Sequence, residues 1–127
     1  MQIFDDFMKI VREIREKCLW DSVQTHESLK KYLLEESNEV LGGIDCLAQK
    51  GDSANLCEEL GDVLFQVALH SVIAEEEGIF TIEDVIQGVS SKMKFRHPKI
   101  FAPEDSSLAD LSWEELKKIE KSVSEKP

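Results

Sequence analysis

Five acidic residues stand at spacings that place them on helix faces: Glu35, Glu36 and Glu39 in "YLLEESNEVLGG", and Glu59 and Asp62 in "CEELGDVLF". The apolar stripe of the first segment runs Leu29, Leu33, then Val40, Ile44, Leu47, and its missing step falls on Glu36. Glu36 therefore lies on a core-facing line, with Glu39 one turn on. Glu59 and Asp62 are also one turn apart, with Leu60 and Val63 on one side and Leu69 and Ile73 on the other. No Lys or Arg stands three or four residues from Glu36, Glu39, Glu59 or Asp62, whereas Glu35 has Lys31 four residues earlier. Glu58 also lacks a basic neighbour, so pairing does not choose between Glu58 and Glu59.

Two readings follow. Solvated like charges at this spacing cost only about 0.2–0.5 kcal/mol each and need no explanation. Ionised carboxylates drawn into apolar surroundings cost several kcal/mol or more and require a cation. Paired carboxylates from two helices, without His or Cys, form an all-oxygen donor set suited to Mg²⁺ or Mn²⁺ rather than Zn²⁺. A di-iron bundle needs Glu-x-x-His pairs, and Val23, Val67 and Lys94 precede His26, His70 and His97 by three. Mg²⁺ held by few carboxylates usually also meets substrate phosphates.

A matching basic cluster, "KMKFRHPK", holds Lys92, Lys94, Arg96, His97 and Lys99. Lys92 and Arg96, four apart, can point the same way. Cations at a helix C-terminus also simply complement its dipole; both readings stay open. Trp20 and Trp113, the two tryptophans, suit packing or stacking.

The elements that must position these groups read as helices. Phe4, Phe7, Met8, Val11 and Ile14 mark one from Gln2 to Lys17. "CLWDSVQTHES" connects it to a second, about Ser28 to Leu47, closed by Gly51, with Asp52 or Ser53 capping the next. Gly42 and Gly43 suit close approach of another helix. A third helix, about Ala54 to Glu77, is apolar over most of its circumference, which predicts a buried central helix. Thr81 and Asp84 resemble a capping box opening a fourth, which stops near His97-Pro98. "APEDSS" reads as loop, and Ser112 with Glu115 as a second capping box before the short helix "WEELKKIEKS", after which the last residues fray. The expected fold is all-α, a single domain over 1–127 with four main helices and a short C-terminal helix.

The net charge of -11, from Asp+Glu 26 against Lys+Arg 15, argues against a nucleic-acid partner, whose footprint is basic. No run reaches transmembrane length and none resembles a signal peptide. Three widely spaced cysteines, Cys18, Cys46 and Cys57, suggest reduced thiols. A cytoplasmic protein without a membrane partner is expected.

E-E-x-x-E (Glu35, Glu36, Glu39) followed by E-x-x-D (Glu59, Asp62) resembles the MazG-type nucleoside triphosphate pyrophosphohydrolases. "CLWDSVQTHESLKKYLLEE", "EELGDVLFQV", "FRHPKIFA" and "WEELKKIEK" extend the resemblance over nearly the whole chain, with departures at Leu19, where Pro is common, and at Phe95, where some members carry a first Arg. The resemblance implies a homodimer, sometimes paired further into a dimer of dimers. It also implies Mg²⁺-dependent hydrolysis of a nucleoside triphosphate between the α and β phosphates. It makes Glu36, Glu39, Glu59 and Asp62 metal ligands, with Glu35 or one of these acids handling the attacking water. Lys92, Lys94 and Arg96 become phosphate contacts, and Trp113 and Lys117 lie near the nucleotide. The competing class is a non-enzymatic acidic helical module that binds a protein partner. It accounts for the composition but not for acids on a core stripe.

Overall fold

The computed structural model describes residues 2–104 and 106–124. It contains helices α1 (Gln2–Lys17), α2 (His26–Lys50), α3 (Ala54–Glu76), α4 (Ile82–Arg96), α5 (Pro98–Phe101), α6 (Ser106–Ala109) and α7 (Trp113–Ser124), with a 3-10 turn at Asp21–Val23. Among the described residues there is no strand, and no helix is long and apolar enough to cross a membrane. The chain divides into two compact units, Met1–Ile82 and Glu83–Pro127.

In the first unit α3 packs against both α1 and α2. Its core is Met8 and Val11 of α1, Leu29 of α2, and Ala68, Leu69, Val72, Ile73 and Ala74 of α3. These are the apolar positions that recur at helical spacing. α2 opens two residues earlier than its stripe suggests. Thr25 caps it: Thr25 Oγ1 accepts from Ser28 N–H at 3.1 Å, while Thr25 N–H donates to Ser28 Oγ at 2.8 Å. A Ser rather than Glu at the third helical position hid this box from a search for Ser/Thr-x-x-Glu. α2 ends as expected at Gly51, whose φ of 69° only glycine adopts cheaply, with its N–H donating to Leu47 O at 3.0 Å. At the next helix start it is Asp52 that supplies the acceptor, taking the Ala54 N–H at 3.0 Å, while Ser53 occupies the cap position without a side-chain bond.

At Gly43 α2 and α3 come close together. A Cβ there would stand 2.9 Å from Leu56 Cα, whereas one on Gly42 would meet nothing within 4 Å. Close approach thus belongs to Gly43 alone.

Two polar locks join the ends of the first unit. Arg15 forks onto the Asp21 and Gln24 carbonyls at 2.6 and 2.8 Å and onto Glu76 at 3.0 Å, tying α1 and the 3-10 turn to the end of α3. His26 and His70 meet Nδ1 to Nδ1 at 2.8 Å with ring planes 6° apart. Their ring centroids are 5.1 Å apart, longer than the N···N distance by about a ring's width, so the rings lie edge to edge around one hydrogen bond. His26 Nε2 faces Glu77 at 3.2 Å and so carries the proton there, which leaves His26 Nδ1 to accept from His70 Nδ1–H. Burial, helped by neighbouring His26, holds the His70 pKa down.

α3 departs from the expectation of a wholly buried helix. Only its C-terminal half is enclosed; Leu60 and Leu64 are each 52% exposed, and Val67 is exposed as well. Leu33, Leu34, Leu41, Ile44 and Leu47 of α2 are likewise exposed. One partner helix on each side does not cover a helix that is apolar nearly all round.

In the second unit α4 ends at Arg96, and Pro98 starts the single turn α5 from a first-turn position that needs no N–H. "APEDSS" is not wholly loop: Ser106 begins the turn α6, while Asp105 lies outside the described residues. The Ser112 box forms as expected, with Ser112 N–H to Glu115 Oε1 at 3.0 Å and Glu115 N–H to Ser112 Oγ at 3.2 Å. The residues expected to fray, 125–127, lie outside those described.

Gly43→Ala forces backbone apart at the α2–α3 crossing and should destabilise the protein by about 1–3 kcal/mol, as overpacking does. Gly42→Ala should instead stabilise it by up to about 1 kcal/mol, because a helix-interior glycine is replaced in open space. Urea denaturation of the two variants checks the opposite signs.

Candidate metal centre

The hairpin of α2 and α3 sets the two acidic pairs opposite each other. Glu36 and Glu39 follow Leu33 by about one and two turns, and Glu59 and Asp62 stand in the second and third turns of α3. Each of these four residues offers a carboxylate oxygen within 4.8 Å of the others. Glu58, which the lack of a basic neighbour alone does not separate from Glu59, stays exposed and outside the group. Glu35 is exposed beside it. Lys31 does not pair with Glu35 among the described residues; its ammonium lies 5.0 Å from the centre of the Tyr32 ring.

Glu36 and Glu59 are half-buried, Glu39 and Asp62 exposed. Glu36 Oε2 and Glu59 Oε2 are shut off from solvent and have no hydrogen-bond partner. Burial, then the charges of Glu39 and Asp62, raise the Glu36 pKa. Glu59 is pushed up to about 7, first by a hydrogen bond with Glu39, which exists only while one of the two is protonated, then by burial and by the Glu39 and Asp62 charges. Without a cation the cluster relieves its repulsion by holding protons. Its donor set, all carboxylate oxygen with two orphaned atoms turned inward, fits a hard divalent cation.

The sequence profile of the MazG nucleotide pyrophosphohydrolase domain matches residues 24–101, which include all four acids. This chain belongs to that family. It is 48% identical to the uncharacterized protein YabN of Bacillus subtilis, over 96% of this chain and 25% of that protein. It is 45% identical to the nucleoside triphosphate pyrophosphohydrolase/pyrophosphatase MazG of Thermotoga maritima, over 94% and 46%. It is 38% identical to the nucleoside triphosphate pyrophosphohydrolase of Escherichia coli K12, over 95% and 47%. The chain spans half or less of the length of these relatives.

The basic candidates of this MazG domain all lie in its second unit. Arg96 is only 8% exposed: it pairs with Glu120 at 2.8 Å and stacks over Trp113 at 5.1 Å. His97 donates from Nδ1 to Met93 O at 2.7 Å and meets the Trp113 ring edge-on. Lys94 sits 6.0 Å from the centre of the Phe101 ring, and Lys117 is half-buried. Lys92 and Arg96 do point the same way, lining with Gly88, Ser91, Phe95, Glu120 and Lys121 a cavity of about 640 Å³. Sequence reasoning missed Glu120, because a partner on another helix leaves no mark at helical spacing. It passed over Gln66 because that residue hides in an apolar run.

Because the Glu59 pKa is raised, the folded metal-free protein holds a proton that the unfolded chain releases near 4.5. Its contribution is present below that value and lost as pH rises towards about 7. Melting curves in chelator should show Glu59→Gln gaining on the wild type across that window, with the largest advantage above pH 7.

Proposed function

We propose that this domain is a Mg²⁺-dependent nucleoside triphosphate pyrophosphohydrolase that cleaves between the α and β phosphates to give a nucleoside monophosphate and pyrophosphate. The observation that carries the reading is the convergence of four carboxylates within 4.8 Å, two with an oxygen closed off from water and unpartnered. A non-enzymatic acidic surface would leave such groups solvated. Family membership and the names of the relatives support the same reaction.

Glu36, Glu39, Glu59 and Asp62 would hold the cation, Mn²⁺ serving as well as Mg²⁺ for an all-oxygen set. A bound divalent cation neutralises triphosphate charge and supplies a water of lowered pKa. Glu35, or one of the four acids, would orient the attacking water. Lys92, Lys94 and Arg96 would supply the positive charge that the phosphates need, with Trp113 and Lys117 near the nucleotide. The contacts of Arg96 with Glu120 and Trp113 would hold the indole for the nucleotide.

The exposed apolar residues of α2 and α3 support a homodimer, or a dimer of dimers, in which a second copy covers them. The free thiols Cys18, Cys46 and Cys57 support a cytoplasmic setting.

A panel of ribo- and deoxynucleoside triphosphates with Mg²⁺ should release pyrophosphate, and Glu36→Gln should reduce turnover to background while the metal-free protein melts no lower than wild type. Orthophosphate as the sole product, or full Mg²⁺-dependent activity in Glu36→Gln, overturns the assignment. Light scattering should report at least two chains for the wild type and one for Leu64→Glu.

A further inference from the structure

Gln66 lies on α3 four residues beyond Asp62 and seven beyond Glu59, on the face that carries both acids. It is 7% exposed, and its Oε1 is sealed from solvent without a hydrogen-bond partner. The other buried polar side chain of α3, Ser71, is satisfied by donating to Val67 O at 2.8 Å. His70, one turn further on, does not serve Gln66, because His70 Nε2 is itself buried and unpartnered. Helix side chains lean towards the N-terminus, which favours the Asp62 side of Gln66 over the His70 side.

The orphan is an acceptor on the helix face that carries the acceptors Glu59 and Asp62, so its partner must be a donor. Mg²⁺ bound by few carboxylates keeps several waters, whose hydrogens point outward. We propose that Gln66 is a positioning residue of the metal centre, its Oε1 accepting a hydrogen bond from a water on the cation. The inference rests on the metal reading given under Proposed function. It adds an outer contact that fixes where that water sits, and such contacts orient the inner set.

The test is calorimetric titration of Mg²⁺ into metal-free wild type, Gln66→Leu, Gln66→Asn and Gln66→Glu, with pyrophosphate release measured alongside. Gln66→Leu removes the acceptor and should weaken Mg²⁺ binding about 10–100-fold. It should lower kcat with little change in nucleotide KM, and melt no lower than wild type in chelator. Gln66→Asn keeps the amide but shortens its reach, so it should weaken binding too, and it carries the test if the leucine variant does not fold. Gln66→Glu keeps an acceptor oxygen at full length and should bind Mg²⁺ at least as tightly as wild type. Wild-type Mg²⁺ affinity in Gln66→Leu or Gln66→Asn makes Gln66 a packing residue and overturns the inference while leaving the metal reading intact. A wild-type protein that binds no Mg²⁺ overturns both.

Discussion

Like charges are being held together at the heart of the first unit. Four carboxylates share a space less than 5 Å across, and the chain brings no Lys or Arg to them along either helix. In the absence of a cation, Glu36 resists ionising through burial and then the neighbouring charges, and Glu59 through its bond with Glu39, burial and those charges. What keeps the helices from spreading is elsewhere: the close crossing at Gly43 and Leu56, the apolar half of α3 against α1 and α2, and the Arg15 and histidine locks at the far end. Stability is concentrated away from the acids, so that the acids can be unfavourable where they stand.

The second unit handles charge differently. Its buried arginine is held on two sides, Nη2 meeting Glu120 and one face meeting Trp113, while its Nε is sealed without a partner. A guanidinium placed so is stiff and keeps its charge at one place on the cavity wall. The lysines of α4 and α7 keep long flexible stems and supply charge that can follow a substrate.

Much of this was legible in the residues. The stripe interrupted at Glu36 and the missing basic neighbours pointed to the acids before any coordinates, since helical spacing dictates which side chains share a face. α1 and the Ser112–Glu115 box came out as expected for the same local reason. What stayed hidden depends on residues far apart in sequence. The Arg96–Glu120 pair needed the path from α4 to α7. The exposure of Leu60 and Leu64 needed to know what does not lie beside α3, and an apolar stripe alone cannot report that. The early start of α2 was local but used Ser where Glu is the usual sign.

Gly51 turns the chain so tightly that α2 and α3 run as arms of one hairpin, with three residues, Gly51–Ser53, between them. Each acidic pair is therefore placed by counting outward from that bend. Adding or deleting one residue in either arm would swing its pair by about 100° and slide it by about 1.5 Å, turning an acid out and a leucine in. The bend itself has no such obligation. Length variation should therefore be tolerated at the tip and forbidden along the arms, so the tip is the natural place to insert a tag or a reporter without disturbing the acids.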